Sequence, residues 1–128
     1  MATWSELKGF LKSNYKVQKE EENNIVVLTE FSDGRSQLVY IFKRDLKGAT
    51  WADVSSPIGT IQTGSLNAAL EMMEGLACGG LVKVGDLHAV KHCMPIADLS
   101  TDEIAGPLAL VAGAADTLEE KFIGGDKA

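Results

Sequence analysis

Residues 80–122 read GLVKVGDLHAVKHCMPIADLSTDEIAGPLALVAGAADTLEEKF, and this stretch decides the fold class. Its first half contains two short runs of apolar and β-branched residues, at 81–84 and 87–94, separated by the turn pair Gly85-Asp86. Its second half has apolar residues at helical intervals. Two paired strands that lead into one long helix predict an α+β domain.

A capping pattern marks the start of the last helix. Ser100 is followed three residues later by Glu103, the spacing at which the two residues satisfy each other's backbone N–H groups. Pro107 interrupts the helical pattern early and leaves two alternatives: a kink in the helix, or a short turn at 101–105 before a helix that begins at Pro107. The predicted inward-facing residues of this helix are Ile104, Leu108, Val111, Ala115, Leu118 and Phe122.

The beginning of the chain predicts a short helix that ends near Asn14. Trp4, Leu7 and Leu11 fall on one helical stripe, and Thr3 or Ser5 is available as the N-terminal cap.

The following segment predicts strands, because β-branched and aromatic residues are concentrated there. Asn23-Asn24 and Asp33-Gly34 lie where turns are needed, and Asp33-Gly34 is typical of a hairpin. Residues 50–59 continue as a third or fourth strand, which Pro57 and Gly59 end. Residues 25–31 and 38–42 are apolar on both faces rather than alternating. This predicts a sheet whose middle is covered on each side, by helices on one face and by a candidate partner chain on the other.

A second helix is expected at 66–77, with Ser65 as its cap and Gly79-Gly80 as its stop. Its predicted apolar face consists of Leu66, Ala69, Leu70, Met73, Leu76 and Ala77, and Met72 widens that face. Because methionine adapts to irregular surfaces, we expect Met72, Met73 and Leu76 to contribute to a partner or dimer interface.

Together these elements predict a single α+β domain over residues 1–123, with a flexible tail at 124–128. Its expected order is helix, three-strand meander, helix, two strands and C-terminal helix, with the antiparallel sheet packed by helices. A chain of 128 residues with 45% hydrophobic content is sufficient for one core of ordinary size.

Charge and composition narrow the functional classes. Asp and Glu number 18 against 12 Lys and Arg, so the field of the molecule repels phosphate backbones and argues against a nucleic-acid partner. The start of the chain lacks the apolar core of a signal peptide, and no segment approaches the roughly 20 apolar residues of a membrane span. We therefore expect a soluble cytoplasmic protein without a membrane partner. Cys78 and Cys93 are expected to be reduced thiols, with a single disulfide as the alternative.

Metal binding and catalysis find little support in the residues. Cys78, His88, His92 and Cys93 are the candidate ligands, but residues four apart on a strand are roughly 13 Å apart, too far for one zinc ion. His92 and Cys93 are neighbours on a strand and point to opposite faces. No nucleophile motif or phosphate-binding loop occurs, so we expect no enzyme activity, no cofactor and no metal.

The order of elements resembles the type III secretion chaperone-like fold, including the YbjN-like proteins, over nearly the whole chain. The most similar stretch is LHAVKHCMPIADLSTDEIAGPLALVAGAADTLEEKF, where a strand ending in an apolar-Pro-apolar step enters a capped helix. The resemblance implies a noncatalytic, chaperone-like homodimer that binds a segment of another protein. Two other hypotheses remain open: a small-molecule or regulatory domain with a pocket between the sheet and the C-terminal helix, and a hydrolase using His88 or His92.

Overall fold

The computed structural model describes residues 2–76, 78–97 and 99–123. Two short 3-10 turns, Thr63–Ser65 and Thr101–Ile104, precede the second and third helices. In chain order the helices and strands are α1 (Trp4–Asn14), β1 (Lys16–Glu20), β2 (Asn24–Glu30), β3 (Ser36–Leu46), β4 (Ala49–Gly59), α2 (Leu66–Glu74), β5 (Gly80–Val84), β6 (Leu87–Pro95) and α3 (Ala105–Phe122).

The strands form one antiparallel sheet in the order β1-β2-β3-β4-β6-β5. The predicted α+β fold is confirmed, and so are the hairpin at Asp33-Gly34 and the strand pair that turns at Gly85-Asp86. The meander contains four strands rather than three, because Lys16–Glu20 pairs with β2 as a separate edge strand. The β3–β4 pairing ends at Tyr40 and Ser55, and Pro57 lies two residues beyond that pair. Its missing N–H therefore removes no hydrogen bond to β3.

The three helices pack on one face of the sheet and enclose the core. α3 lies across β3, β4 and β6, while α1 contacts β1 and α2 contacts β5 and α3. The alternate residues of β2, β3 and β4 that face the helices are almost fully buried, namely Ile25, Val27, Val39, Ile41, Ala52, Val54 and Ile58. The helices contribute Leu7, Leu11, Ala69, Leu108, Val111, Ala112, Ala115 and Leu118 to the same cluster.

The start of α3 matches the second alternative for Pro107, a short turn followed by the helix, but the helix begins two residues earlier than predicted. A 3-10 turn covers Thr101–Ile104, and α3 begins at Ala105, two residues before the proline. Pro107 therefore lies in the first helical turn, where backbone N–H groups have no intrahelical partner. The missing N–H of proline removes no helical hydrogen bond there. The Ser100–Glu103 capping box is present, with the Ser100 N–H donating to Glu103 Oε1 at 2.8 Å.

The first helix agrees with its prediction, and Thr3 rather than Ser5 is its cap. The second helix is shorter than predicted, since it ends at Glu74. Ser65 makes no side-chain capping bond, and Gly75 rather than Gly79-Gly80 follows the last helical residue. Ala77, the predicted last residue of this helix, lies outside the described residues, as does the predicted tail at 124–128.

None of the helices in the described part of the chain combines the length and apolar composition that a membrane span requires.

Candidate binding surface

The face of the sheet opposite the helices is apolar, and no described helix packs on it. We call it the open face. The sheet is apolar on both faces, as predicted, and helices cover one of them. Strand register and alternation place on it the apolar residues Val26, Leu28, Leu38, Tyr40, Phe42, Pro57, Val82, Val84, Leu87 and Ala89.

A shallow groove of about 200 Å³ lies in the middle of this face. We call it the apolar groove, and its lining consists of Tyr40, Phe42, Ser55, Pro57, Val84, Leu87 and Ala89. On one side the rings of Tyr40 and Phe42 are stacked, with centroids 6.1 Å apart and planes at 15°. On the other side Val84 and Leu87, which flank the β5–β6 turn, are exposed. Large apolar side chains in contact with solvent are thus concentrated around one depression.

A charged cluster lies beside the apolar groove. Asp53 is the cross-strand partner of Phe42 and is only 5% exposed. Its Oδ2 accepts a hydrogen bond from Arg44 Nη1 at 3.0 Å and is 3.2 Å from Lys91 Nζ. The other oxygen, Oδ1, is buried and accepts no hydrogen bond from any described residue. Two cations therefore share one carboxylate oxygen at the end of the groove.

The charge of the open face differs from that of the whole chain. By register, Lys16, Lys19, Arg44 and Lys91 lie on this face, against Glu30 and Asp53. The chain as a whole has a net charge of −6. The open face is thus a locally basic surface on an acidic protein.

The thiol of Cys93 neighbours this cluster, because Cys93 pairs with Asp53 across β4 and β6. Desolvation and the Asp53 carboxylate raise the pKa of the Cys93 thiol above its ordinary value, and Arg44 and Lys91 offset part of this effect. Desolvation also raises the pKa of the Cys78 thiol. Both cysteines are free, as expected from the sequence. A raised pKa keeps each thiol neutral and weakly nucleophilic.

The predicted interface residues Met72, Met73 and Leu76 lie on the helical side of the sheet, not on the open face. All three are half-buried against the core. The exposed apolar residue of α2 is instead Leu70, with 53% of its surface exposed. The reason is the helix phase: Met72 and Met73, three and four positions after buried Ala69, face inward, and Leu70 does not. Leu76 lies beyond the end of the helix at Glu74 and also packs against the core.

The two histidines, candidates for metal binding or hydrolysis, lie on the helix-facing side of β6. His88 is buried, and its Nδ1 accepts a hydrogen bond from the Ile61 N–H at 3.0 Å. This contact gives His88 a structural role at the end of β4. Within residues 2–76, 78–97 and 99–123, no group of three or more His, Cys, Asp or Glu side chains is arranged to hold a metal ion.

The small-molecule hypothesis requires a pocket between the sheet and α3, but packed side chains fill this space. Val54, Val111 and Ala115 are among the residues there that have no exposed surface. A larger depression, of about 550 Å³, lies at the surface between the start of α1 and the β3–β4 turn.

Comparison with known proteins finds no matching family model, no matching curated sequence and no matching solved structure.

Proposed function

We propose that the protein is a noncatalytic, chaperone-like protein-binding module of the cytoplasm that acts as a homodimer and binds a segment of another protein on the open face. The observation that carries the proposal is the exposed apolar groove. The core is already closed by the three helices on the other face, so the groove residues are not needed to complete it. Clustered, solvent-exposed apolar residues are typical of surfaces that bind other proteins.

The proposal retains the resemblance to the type III secretion chaperone-like proteins as its family hypothesis. The open face adds a specific location for the bound segment. An extended chain presents alternate side chains to one side, which suits a row of shallow apolar contacts over a sheet.

The second surface in the proposal is the β5 edge together with α2, and its occupant is a second copy of the chain. The sheet ends in β1 and β5. β1 has the sequence KVQKE and a bulge after Val17, and charges and bulges both discourage edge pairing. β5 has the more apolar sequence GLVKV and is therefore the better edge for pairing with a second copy. Antiparallel pairing of two β5 strands about a two-fold axis would place each copy's α2, with Leu70, beside the interface.

Light scattering coupled to size exclusion tests the dimer. We expect a dimer for the natural chain and a monomer for Leu70→Asp. Leu110→Asp is the matched control, since Leu110 is 48% exposed and lies on α3, which is not part of the proposed interface. Loss of the dimer in both variants, or in neither, would reject the α2 and β5 interface. Circular dichroism should be unchanged in both, because each leucine is mostly exposed.

Fluorescence anisotropy tests the binding of a segment. The probe is a fluorescein-labelled ten-residue peptide in which Leu and Val alternate with Ser. We expect saturable binding that is weakened by Phe42→Ser and Leu87→Ser on the groove and unaffected by Leu110→Ser on α3. Absence of saturable binding, or equal weakening by all three substitutions, would contradict a protein-binding role for the open face.

A further inference from the structure

We infer that the segment bound on the open face is acidic as well as apolar, with a carboxylate held by Arg44 and Lys91. The inference rests on the proposed function and concerns the chemistry of the partner. It starts from the cluster at the end of the apolar groove, where the two cations contact the same oxygen of Asp53 at 3.0 and 3.2 Å.

The cluster has one positive charge more than its single carboxylate can neutralise. Because Arg44 and Lys91 meet at one oxygen, their like charges are held close together and repel each other. The side chains of Arg44 and Lys91 remain 42% and 31% exposed, so a second anion can reach both. A carboxylate placed between them would relieve the repulsion and accept charge-assisted hydrogen bonds.

Asp53 positions the two cations. It is buried in the sheet surface, and its backbone is fixed by pairing with Phe42 on one side and Cys93 on the other. The cations are therefore oriented before a partner arrives, which lowers the entropic cost of binding. Lys16 lacks such support, because the carboxylate it pairs with, Glu30 at 3.5 Å, is itself exposed.

The groove next to the cluster argues for a polypeptide rather than a small carboxylic acid. Pockets for small ligands usually enclose about 300 to 1,000 Å³, whereas this groove has about 200 Å³ and is open to solvent. It is large enough for one or two side chains of a longer ligand. The charge of the face, basic on a protein of net charge −6, also favours an acidic segment over a basic one.

The geometry gives the spacing of the recognised residues. Phe42 and Arg44 are two residues apart on β3 and point to the same face. An extended segment has the same two-residue period. A segment lying along β3 would therefore place an apolar side chain in the groove and an Asp or Glu two positions further, beside Arg44 and Lys91.

The test uses three versions of the Leu/Val/Ser peptide in which one Val, two positions after a Leu, is replaced by Glu, Gln or Lys. We expect the Glu peptide to bind at least about tenfold more tightly than the Gln peptide, and the Lys peptide to bind most weakly. The preference for Glu should disappear in Arg44→Gln and Lys91→Gln and persist in Lys16→Gln, the matched control on the same face. Thermal melts of each variant verify that it is folded.

Equal affinity for the Glu and Gln peptides, with binding still sensitive to Phe42→Ser, would overturn the inference and leave the proposed function standing. A Glu preference that survives both Arg44→Gln and Lys91→Gln would also overturn it. If none of the three peptides binds, the inference and the proposed function fail together. Competition by free N-acetylglutamate at the concentration at which the Glu peptide binds would assign the site to a small carboxylate and reject the polypeptide.

Discussion

Arg35, in the turn between β2 and β3, forms an ion pair with Asp116 in α3, with 2.8 Å between Nε and Oδ1. Its Nη2 also lies 3.4 Å from Oε1 of Glu119, a side chain with no exposed surface. This contact joins the hairpin to the helix that closes the core. Glu119 is a polar residue on the inward side of α3, and Arg35 places a positive charge beside its carboxylate.

Replacing Arg35 with Leu should therefore destabilise the fold. The substitution takes the positive charge of Arg35 away from Asp116 and from buried Glu119, and breaking a buried ion pair in this way costs about 3 kcal/mol. Urea denaturation measures the free energy of unfolding. The control is Lys16→Leu, which breaks the exposed Lys16–Glu30 pair and should change stability by less than about 1 kcal/mol. Equal effects of the two substitutions would mean that Arg35 does not stabilise α3.

The Ser100–Glu103 capping box should make stability depend on acid pH. The Ser100 backbone N–H bond lowers the pKa of the Glu103 carboxyl below its usual value of 4.5. At pH values between the lowered folded pKa and the unfolded pKa, the unfolded chain binds more protons than the folded chain. The stability that Glu103 contributes is therefore complete above about pH 4.5 and is lost as the pH falls through the folded pKa.

Glu103→Gln is the matched variant, because Gln can accept the same hydrogen bond but does not titrate in this range. The melting temperature of the natural chain should fall more steeply than that of Glu103→Gln from pH 7 to about pH 3. The lowered pKa values of Glu20 and Glu21 act in both proteins and cancel in the comparison. Parallel curves would show that the cap does not couple to pH.

Asp53 should slow the reaction of Cys93 with alkylating reagents. In Asp53→Asn the negative charge that raises the pKa of the Cys93 thiol is removed, while Arg44 and Lys91 remain. The rate of alkylation of Cys93 by iodoacetamide at pH 8 should rise by roughly twofold to tenfold. Cys78 is the internal reference, since desolvation alone raises its pKa. Mass spectrometry of both sites gives the ratio, and an unchanged ratio would place Asp53 electrostatically apart from Cys93.

Gly79 should not tolerate a side chain. Its φ is +92°, and a methyl group there would lie 3.1 Å from Val90 Cγ1 and 3.2 Å from the Lys91 carbonyl oxygen. Gly34 is the control, because its φ is +88° but no atom lies within 4 Å of an added methyl group. Gly34→Ala should cost about 1 kcal/mol from backbone strain alone, and Gly79→Ala clearly more, by chemical denaturation. Similar costs would mean that the Val90 and Lys91 contacts relax freely.

Local sequence chemistry was sufficient for most of the secondary structure. Thr3, Asp33-Gly34, Gly85 and the Ser100–Glu103 box act through neighbours within a few residues, so their positions identify helix starts and turns without knowledge of the fold. The number of strands in the meander, three or four, does not follow from the sequence, because KVQKE has little apolar content and its pairing as β1 depends on β2.

The candidate site was predicted only in part. The apolar character of residues 25–31 and 38–42 on both faces predicted a sheet whose middle is covered on each side. Helices cover one side in the structure, and the open face is the other. The prediction for Met72, Met73 and Leu76 followed from the apolar pattern of residues 66–77, which placed Leu70 on the same face. In the structure Ala69 is fully buried, Met72 and Met73 pack toward the core, and Leu70 lies outside.

The α+β class, the order of the elements and the residues available for the core can be predicted from the sequence, because they depend on local periodicity and turn chemistry. The position of β6 between β4 and β5 cannot, and it is seen only in the folded chain. That strand order brings Val84 and Leu87 to Tyr40 and Phe42, and Lys91 to Asp53. These residues are far apart along the chain, and their proximity follows from pairing between strands, whose register is selected by burial of the opposite face.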